Sequence, residues 1–290
     1  MEKIKKVIRQ HPIVYKYLKS ILQDFRFFKT NIVGFKAPKV LDSEINFFKA
    51  IYKDCQVIAD VGARFDIDYI EIGKKLDGKK RGGVKYFLFE ANPVFFKRLI
   101  QNLNRAEYKE NIVAENIGVG NHSSTMDYYE DSQSFVYHKK NVIKKSRVKK
   151  IKIIRLDDYF DKFSSINVDF LKIDIEGYDF YALEGMGKML KKCKYIQFEL
   201  VLNDPHTNID ITFKDYDALF DGVFDLYILQ DINNPYLQGL NKNIDLFILD
   251  EHSKIMIKNA FPKGVGFNIV AINKKNPLED LKIGQYLCQE

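Results

Sequence analysis

The chain has 290 residues, of which 46% are hydrophobic and 29% charged, with only 16 glycines and 7 prolines. This composition excludes a disordered or collagen-like chain, and the length allows one large folded domain or two modest ones. The net charge of +7 suits an anionic partner such as nucleic acid, a membrane or a phosphorylated substrate. The three cysteines, Cys55, Cys193 and Cys288, form no CxxC pair. We therefore expect neither a disulfide framework nor a zinc site, and a reducing, cytoplasmic location.

Residues 1–45 carry apolar side chains at near-helical spacing, for example Ile4, Val7 and Ile8, with lysines and arginines between them. This pattern predicts one or two amphipathic helices, which form an N-terminal helical extension before a single domain at 46–290. Charged residues interrupt the extension too often for a signal peptide or a membrane span. The extension could pack on the domain, or it could make a peripheral contact with an anionic membrane.

Between residues 57 and 201, short apolar runs alternate with stretches of helical spacing. Strands are predicted at 57–61, 84–90, 112–115, 151–155, 169–174 and 195–201, and helices at 65–76, 94–106 and 179–191. Continuous apolar strands separated by helices favour a mostly parallel sheet that is covered on both faces. The prediction is therefore a doubly wound α/β fold.

Two further regions are less regular. Residues 126–129 could add a strand, and eight lysines and arginines then crowd between Lys139 and Lys152. Such a run is typical of a solvated loop, although it could also be a lid that meets an anionic substrate. In the last third, strands are predicted at 224–229, 244–249 and 265–272, and we expect the last two to finish the sheet.

Acidic residues end several of the predicted strands: Asp60, Glu90, Asp174, Glu176 and Glu199. In an open α/β sheet, ligands bind at the carboxyl ends of the strands, near the point where the strand order reverses. Acidic strand ends repel a phosphate-rich ligand but suit ribose hydroxyls, amines and a positively charged centre. S-adenosylmethionine has all three.

The turn after the first strand gives a more specific signal. Gly62 and Ala63 follow Asp60 and allow the backbone to approach a ligand, and Glu90, about 30 residues further on, can accept both ribose hydroxyls. A nicotinamide dinucleotide would also use such a glutamate. Its pyrophosphate requires a G-x-G-x-x-G turn, however, and no further glycine follows Gly62 through Asp66, so dinucleotide binding is the weaker alternative.

Five blocks carry a family resemblance: Asp-Val-Gly-Ala at 60–63, Phe-Glu-Ala-Asn-Pro at 89–93, Ile-Gly-Val-Gly at 117–120, Arg-Leu-Asp-Asp at 155–158 and Leu-Lys-Ile-Asp-Ile-Glu-Gly-Tyr-Asp at 171–179. In order and spacing they resemble the FkbM-type methyltransferases. The resemblance implies a class I, Rossmann-like, S-adenosylmethionine-dependent fold with a seven-stranded sheet. It also implies, as the usual reaction, O-methylation of a sugar, a glycan or a related small hydroxylated acceptor.

The resemblance also implies where the cofactor binds. Nine residues at the strand ends are the candidates: Asp60, Gly62, Ala63, Arg64, Glu90, Asn92, Asn116, Ile117 and Asp174. The family usually continues its first motif as Asp-x-Gly-Ala-Asn-x-Gly, whereas this chain has Arg64 for the Asn and Asp66 for the second Gly. The carboxylate of the cofactor could meet Arg64 in a variant binding mode, or cofactor binding could be impaired.

Methyl transfer to a hydroxyl requires an acceptor oxygen held about 3–3.5 Å from the methyl carbon, and a base for its proton. Asp174 is the candidate base or acceptor anchor, with Glu176 beside it and Glu199 on the neighbouring strand. Alternatively, Asp174 could cap the following turn or contact only the cofactor. Lys172 shares the strand face of Asp174 and, if buried, needs a carboxylate partner or a route to water.

Two alternatives remain open. Carboxylates at the strand ends could hold a divalent metal ion, although only His206 lies nearby and no metal is favoured. The chain could be a methyltransferase-like binding module without catalysis, altered at Arg64 and Asp66, that docks on nucleic acid or membrane. The favoured partner is a small-molecule or glycan acceptor, which an anionic carrier could hold. Nucleic acid is not favoured, because Asp-Ile-Glu-Gly follows residue 173 where base-methylating enzymes have Asn-Pro-Pro-Tyr or Asp-Pro-Pro-Tyr.

Overall fold

The computed structural model describes residues 42–77, 83–106, 111–129, 148–163, 166–175, 177–202, 210–229, 246–260, 265–278 and 283–285. All of them belong to one compact unit, Asp42–Glu290. The predicted N-terminal extension lies outside the described residues except for positions 42–45, which belong to the first helix. Glu176, His206 and most of the lysine-rich segment also lie outside them.

The helices and strands follow the predicted alternation closely. In chain order they are α1 (Asp42–Ile51), β1 (Val57–Val61), α2 (Asp68–Asp77), β2 (Lys85–Phe89), α3 (Pro93–Arg105), β3 (Ile112–Glu115), β4 (Gly118–Val119), β5 (Ser124–Tyr129), β6 (Val148–Ile154), α4 (Leu156–Phe160), β7 (Phe170–Ile173), α5 (Asp179–Glu184), β8 (Tyr195–Leu202), α6 (Phe213–Phe220), β9 (Phe224–Leu229), β10 (Leu246–Ile248), α7 (Glu251–Ala260), β11 (Val265–Asn273) and β12 (Ile283–Gln285). The helix predicted at 179–191 is shorter, because α5 ends at Glu184 and a 3-10 helix, Gly187–Lys192, follows.

The main sheet has the strand order β12-β10-β9-β11-β8-β7-β1-β2-β3. Strands β3, β2, β1, β7 and β8 are parallel, and β11 runs antiparallel between β8 and β9. The order reverses between β1 and β7, so a ligand crevice is expected at the carboxyl ends of these two strands. Seven neighbouring strands, in the order β3-β2-β1-β7-β8-β11-β9, form the mostly parallel, doubly wound sheet that the sequence predicted.

One topological expectation was wrong. The last two predicted strands were expected to finish the sheet, but β9 and β11 complete the seven-stranded part. The strand predicted at 244–249 is the short β10, which pairs antiparallel with β9 beyond that part. Periodicity identifies a strand, but it carries no information about which neighbour the strand pairs with.

A second, three-stranded sheet has the order β4-β6-β5 and contains the strand predicted at 151–155. Its middle strand, β6, alternates exposed and buried side chains with the period of two that a half-buried strand requires. Ile151 and Ile153 are buried in a small cluster with Ala91, against which Met126 packs. Lys150 and Lys152 point the other way and are exposed.

Both faces of the main sheet are covered. On one face, the core joins Val61, Phe89 and Ile173 of three parallel strands to buried residues of α4 and α5. On the other face, α1 places Phe47 against Phe170, with the ring centroids 6.3 Å apart. None of the helices among the described residues is both long and apolar enough to cross a membrane.

Candidate active site

The turn after β1 brings three strand ends together. Gly62 has φ +84°, and a Cβ atom at this position would lie only 2.0 Å from the carbonyl oxygen of Asp174. The N–H groups of Gly62 and Ala63 both donate to the carbonyl of Phe89, at 2.9 and 3.2 Å. Only glycine satisfies the positive φ and the close contact together. The turn therefore lies at the crevice between β1 and β7, as expected.

Glu90 organises the turn that follows β2. Its side chain is 5% exposed, with Oε1 accepting the N–H of Asn92 at 2.6 Å and Oε2 accepting the N–H of Arg64 at 2.7 Å. Burial raises the pKa of Glu90, and these two hydrogen bonds oppose that shift. Each carboxylate oxygen has further lone-pair capacity, which suits a pair of ribose hydroxyls.

The two predicted asparagines shape the surroundings of Glu90. Asn92 is the N-cap of α3, where its Oδ1 accepts the N–H of Val94 at 2.8 Å. Asn116 donates from Nδ2 to the carbonyls of Glu90 and Ala91, at 2.7 and 3.2 Å. Asn92 thus caps α3, and Asn116 joins the end of β3 to the end of β2. The next residue, Ile117, is half-buried against the core.

Arg64 stands where the family pattern has an asparagine, and its backbone belongs to the turn that binds Glu90. Its φ of +54° is a left-handed conformation that asparagine adopts more readily than arginine. Its backbone N–H binds Glu90, and its guanidinium lies 5.5 Å from the ring centroid of Phe95 and 5.8 Å from that of Phe65. Burial, and then repulsion from Asp68, raise the pKa of Asp66 in the same turn.

A buried lysine, Lys172, links two of the predicted acidic residues at the crevice, Asp60 and Asp174. Lys172 Nζ lies 3.6 Å from Asp60 Oδ1 and 3.3 Å from Asp174 Oδ2. Burial opposes the charge on Lys172, but Asp60 and Asp174 outweigh it and hold the pKa of Lys172 well above its usual range. The Asp174 side chain is 52% exposed and so can be reached by an acceptor. The expectation that Lys172 has a carboxylate partner is confirmed.

Asp179 is a functional candidate that the sequence analysis missed. It is 1% exposed, and its carboxylate accepts the N–H of Glu199 at 3.1 Å and that of Ile175 at 3.4 Å. It therefore joins the turn that carries Asp174 to β8, which carries Glu199. Burial and the nearby Asp174 raise the pKa of Asp179 to about 7. The available signal was its place as the last residue of the 171–179 block, at the start of α5.

The remaining motif blocks meet in a structural junction. Arg155 donates from Nε to Asp157 Oδ1 at 2.9 Å and from Nη1 to the carbonyl of Asn121 at 2.9 Å. Gly185 packs so closely that a Cβ atom there would lie 2.1 Å from the carbonyl oxygen of Gly120. The blocks at 117–120 and 155–158 therefore hold the small sheet against α5.

The residues at the crevice fit S-adenosylmethionine. Glu90 offers carboxylate oxygens for hydroxyls. The buried Asp60 Oδ1 forms an ion pair with Lys172 at 3.6 Å and accepts no hydrogen bond shorter than 3.5 Å from any described residue. For a metal ion, the described part of the chain contains no group of three or more histidine, cysteine or acidic residues that could hold one.

A seven-stranded sheet with the order β3-β2-β1-β7-β8-β11-β9, an antiparallel β11 and this glycine turn defines the class I methyltransferases. A family model described as Methyltransferase FkbM domain matches residues 60–225, which is 166 of the 290 residues. The chain belongs to this family of S-adenosylmethionine-dependent methyltransferases.

Several solved structures are similar in fold. A methyltransferase FkbM from Methylobacillus flagellatus is 17% identical over 60% of this chain and 39% of its own, with a TM-score of 0.40. The present chain therefore spans well under half of that protein. A putative O-methyltransferase from Klebsiella pneumoniae is 11% identical over 92% and 99% of the two chains, with a TM-score of 0.43. An rRNA methylase from Streptococcus thermophilus is 12% identical over 82% and 99%, with a TM-score of 0.40. Comparison with curated proteins gives no match.

Proposed function

We propose that the protein transfers a methyl group from S-adenosylmethionine to a hydroxyl of a sugar, a glycan or another small acceptor. The observation that carries this proposal is the position of Asp174. Its carboxylate is half-exposed at the end of β7, its Oδ2 is 3.3 Å from Lys172 Nζ, and its backbone carbonyl lies directly against Gly62. A carboxylate in this place is available to an acceptor at the point where the cofactor turn begins.

The cofactor, when bound, supplies a methyl group that its sulfonium activates toward nucleophiles. In this proposal, Glu90 accepts the ribose hydroxyls, and Asn116 and Ile117 line the adenine end. Asp60 and the backbone of residues 62–64 face the methionine end. The hydrogen bond from the Arg64 N–H to Glu90 supports a variant binding mode rather than a lost site.

Asp174 acts as the general base in this proposal. It accepts the proton of the acceptor hydroxyl as the oxygen attacks, which a positioned carboxylate can do in concert with transfer. Glu199, on the adjacent β8, orients the acceptor through a further hydrogen bond. Asp179 keeps the two elements in register, since it binds the N–H groups of both Ile175 and Glu199.

The small sheet supports an acceptor on an anionic carrier. One face of β6 packs on Ala91, which directly follows Glu90, and the other exposes Lys150 and Lys152. The exposed basic side chains of this face, of which Lys150 also pairs with Asp127 at 3.1 Å, would attract a phosphate or pyrophosphate group that carries the sugar.

The test is methyl transfer from tritiated S-adenosylmethionine to separate pools of sugar nucleotides, lipid-linked glycans and RNA. We expect alkali-stable label in a carbohydrate pool, because methyl ethers survive treatment that hydrolyses methyl esters. Asp174→Asn should lower the labelling rate by about 100-fold or more, the usual range for a lost general base. Asp161→Asn, at an exposed position after α4, is the matched control and should label at the wild-type rate. Label confined to RNA, or an unaffected Asp174→Asn variant, would refute the proposal.

A further inference from the structure

Three polar residues form a row across the interior of the main sheet. The register pairs Asp60 of β1 with Lys172 of β7, and Lys172 with Gln197 of β8. All three are buried, with exposures of 8%, 8% and 3%. The residues two positions earlier on β1 and β7, Ile58 and Phe170, point to the same face and are apolar. The polar row is therefore a local feature at the crevice end of an otherwise hydrophobic face.

Lys172 interacts with titratable groups from several elements. Asp60 faces it from β1 and Asp174 from the end of β7, while Tyr69 of α2 and Glu44 of α1 interact with it at longer range. Asp66, from the turn before α2, also interacts with it electrostatically. Gln197 contributes a neutral side chain, whose Nε2 lies 3.5 Å from the Tyr69 hydroxyl. The Lys172 ammonium therefore lies between the buried carboxylate of Asp60 and the carboxylate of Asp174, which reaches solvent.

A purely structural ion pair does not explain this arrangement well. A buried charge pair costs several kcal/mol per ion in desolvation, and apolar residues of similar size are often as stable or more so. One carboxylate is enough to neutralise Lys172, yet its Nζ lies closer to Asp174, at 3.3 Å, than to Asp60, at 3.6 Å. The geometry indicates that Lys172 acts mainly on the exposed Asp174 carboxylate and that Asp60 neutralises the charge of Lys172 in the interior.

We propose that Lys172 is a positioning residue that orients the Asp174 carboxylate toward the acceptor. Asp60 is the counterion that keeps Lys172 charged in the interior. The role of Asp174 toward an acceptor rests on the proposed function, whereas the coupling between Lys172 and Asp174 can be measured without any acceptor.

The test is the χ1 rotamer of Asp174, measured by NMR through the three-bond couplings of its Cβ hydrogens in ¹³C-labelled protein. The Asp174 resonances are identified by their absence in Asp174→Asn. In the wild type the couplings should report one dominant rotamer, because the Lys172 ammonium holds the carboxylate. In Lys172→Met they should move toward the averaged values of a freely rotating aspartate. The double variant Lys172→Met/Asp60→Asn leaves no unpaired charge in the interior and should show the same averaging. If the single variant does not fold, the double variant gives the reading.

A structural role predicts a different result. The variants would then lose thermal stability while the Asp174 couplings stayed at their wild-type values, and that result overturns the proposal. Failure of the proposed function would instead appear as absent methyl transfer or absent S-adenosylhomocysteine binding, with the loss of Asp174 rotamer order still present in Lys172→Met. Once an acceptor is known, kcat should fall in that variant while KM changes little.

Discussion

Glu90 shows how one buried carboxylate can hold the turns after two strands together. Its two oxygens accept N–H groups from Asn92 and Arg64, so the ends of β1 and β2 are held together by a single side chain. Sequence analysis located Glu90 because it ends a predicted strand. It could not identify the two donors, since backbone N–H groups carry no residue signature.

Asp179 gives a pH-dependent prediction at the scale of one residue. Its pKa is about 7 in the folded protein, against an ordinary value of 3.8, so the folded state holds this proton over a pH range in which the unfolded state has lost it. Raising the pH through that interval therefore destabilises the folded protein, by up to about 4 kcal/mol from this group. Asp179→Asn removes this contribution.

The variant itself carries a fixed cost, because an amide can accept only one of the two N–H groups that the carboxylate accepts. We expect its deficit in unfolding free energy to shrink by about 2–3 kcal/mol between pH 5 and pH 8. Urea denaturation of wild type and variant at both pH values measures this difference. The exposed Asp161→Asn should follow the wild type at both. An Asp179→Asn deficit that stays constant with pH would contradict the assignment.

At the scale of elements, the ends of β1, β2 and β7 pack so closely at Gly62 that this position has no room for a side chain. Gly62→Ala combines a left-handed φ of +84° with a Cβ atom 2.0 Å from the Asp174 carbonyl, and we expect a loss of about 3 kcal/mol or more. Gly222 is the matched control. Its φ is +66°, but nothing lies within 4 Å of its Cβ position, so Gly222→Ala should cost only about 1 kcal/mol. Urea unfolding measures both, and equal losses would show that the close contact is unimportant.

The elements themselves were largely predictable. Apolar runs of four to eight residues with intervening helical spacing predicted the parallel strands β1, β2, β3, β7 and β8 and the helices between them. The insertion of β11 between β8 and β9 was not predictable, because strand order depends on long-range packing. The glycine at 185 illustrates the same limit, since its contact with Gly120 joins positions 65 residues apart.

Arg64 and Lys172 mark the boundary of what the sequence reveals about the site. The departure from the family pattern at Arg64 suggested either a new contact or a lost one. The structure shows that the Arg64 N–H donates to Glu90 while its guanidinium lies over the ring of Phe95. For Lys172, burial required a partner, but only the register between β1 and β7 identifies Asp60 as a partner beside Asp174.

For the whole molecule, the net charge of +7 and the acidic crevice describe different regions. Asp60, Glu90 and Asp174 surround the site, while Lys150 and Lys152 are exposed on the small sheet beside it. The overall charge is therefore informative about what approaches the protein, and the strand ends are informative about the reaction.

The most direct test of the central claim is calorimetric titration of the whole protein with S-adenosylhomocysteine. We predict saturable binding by the wild type and a loss of about tenfold or more in Glu90→Gln, because an amide cannot accept both N–H groups and the ribose hydroxyls. Glu251→Gln, the same substitution at a side chain 81% exposed on α7, should bind as the wild type does. No binding by the wild type at millimolar S-adenosylhomocysteine, or equal affinity of Glu90→Gln and wild type, would contradict the account.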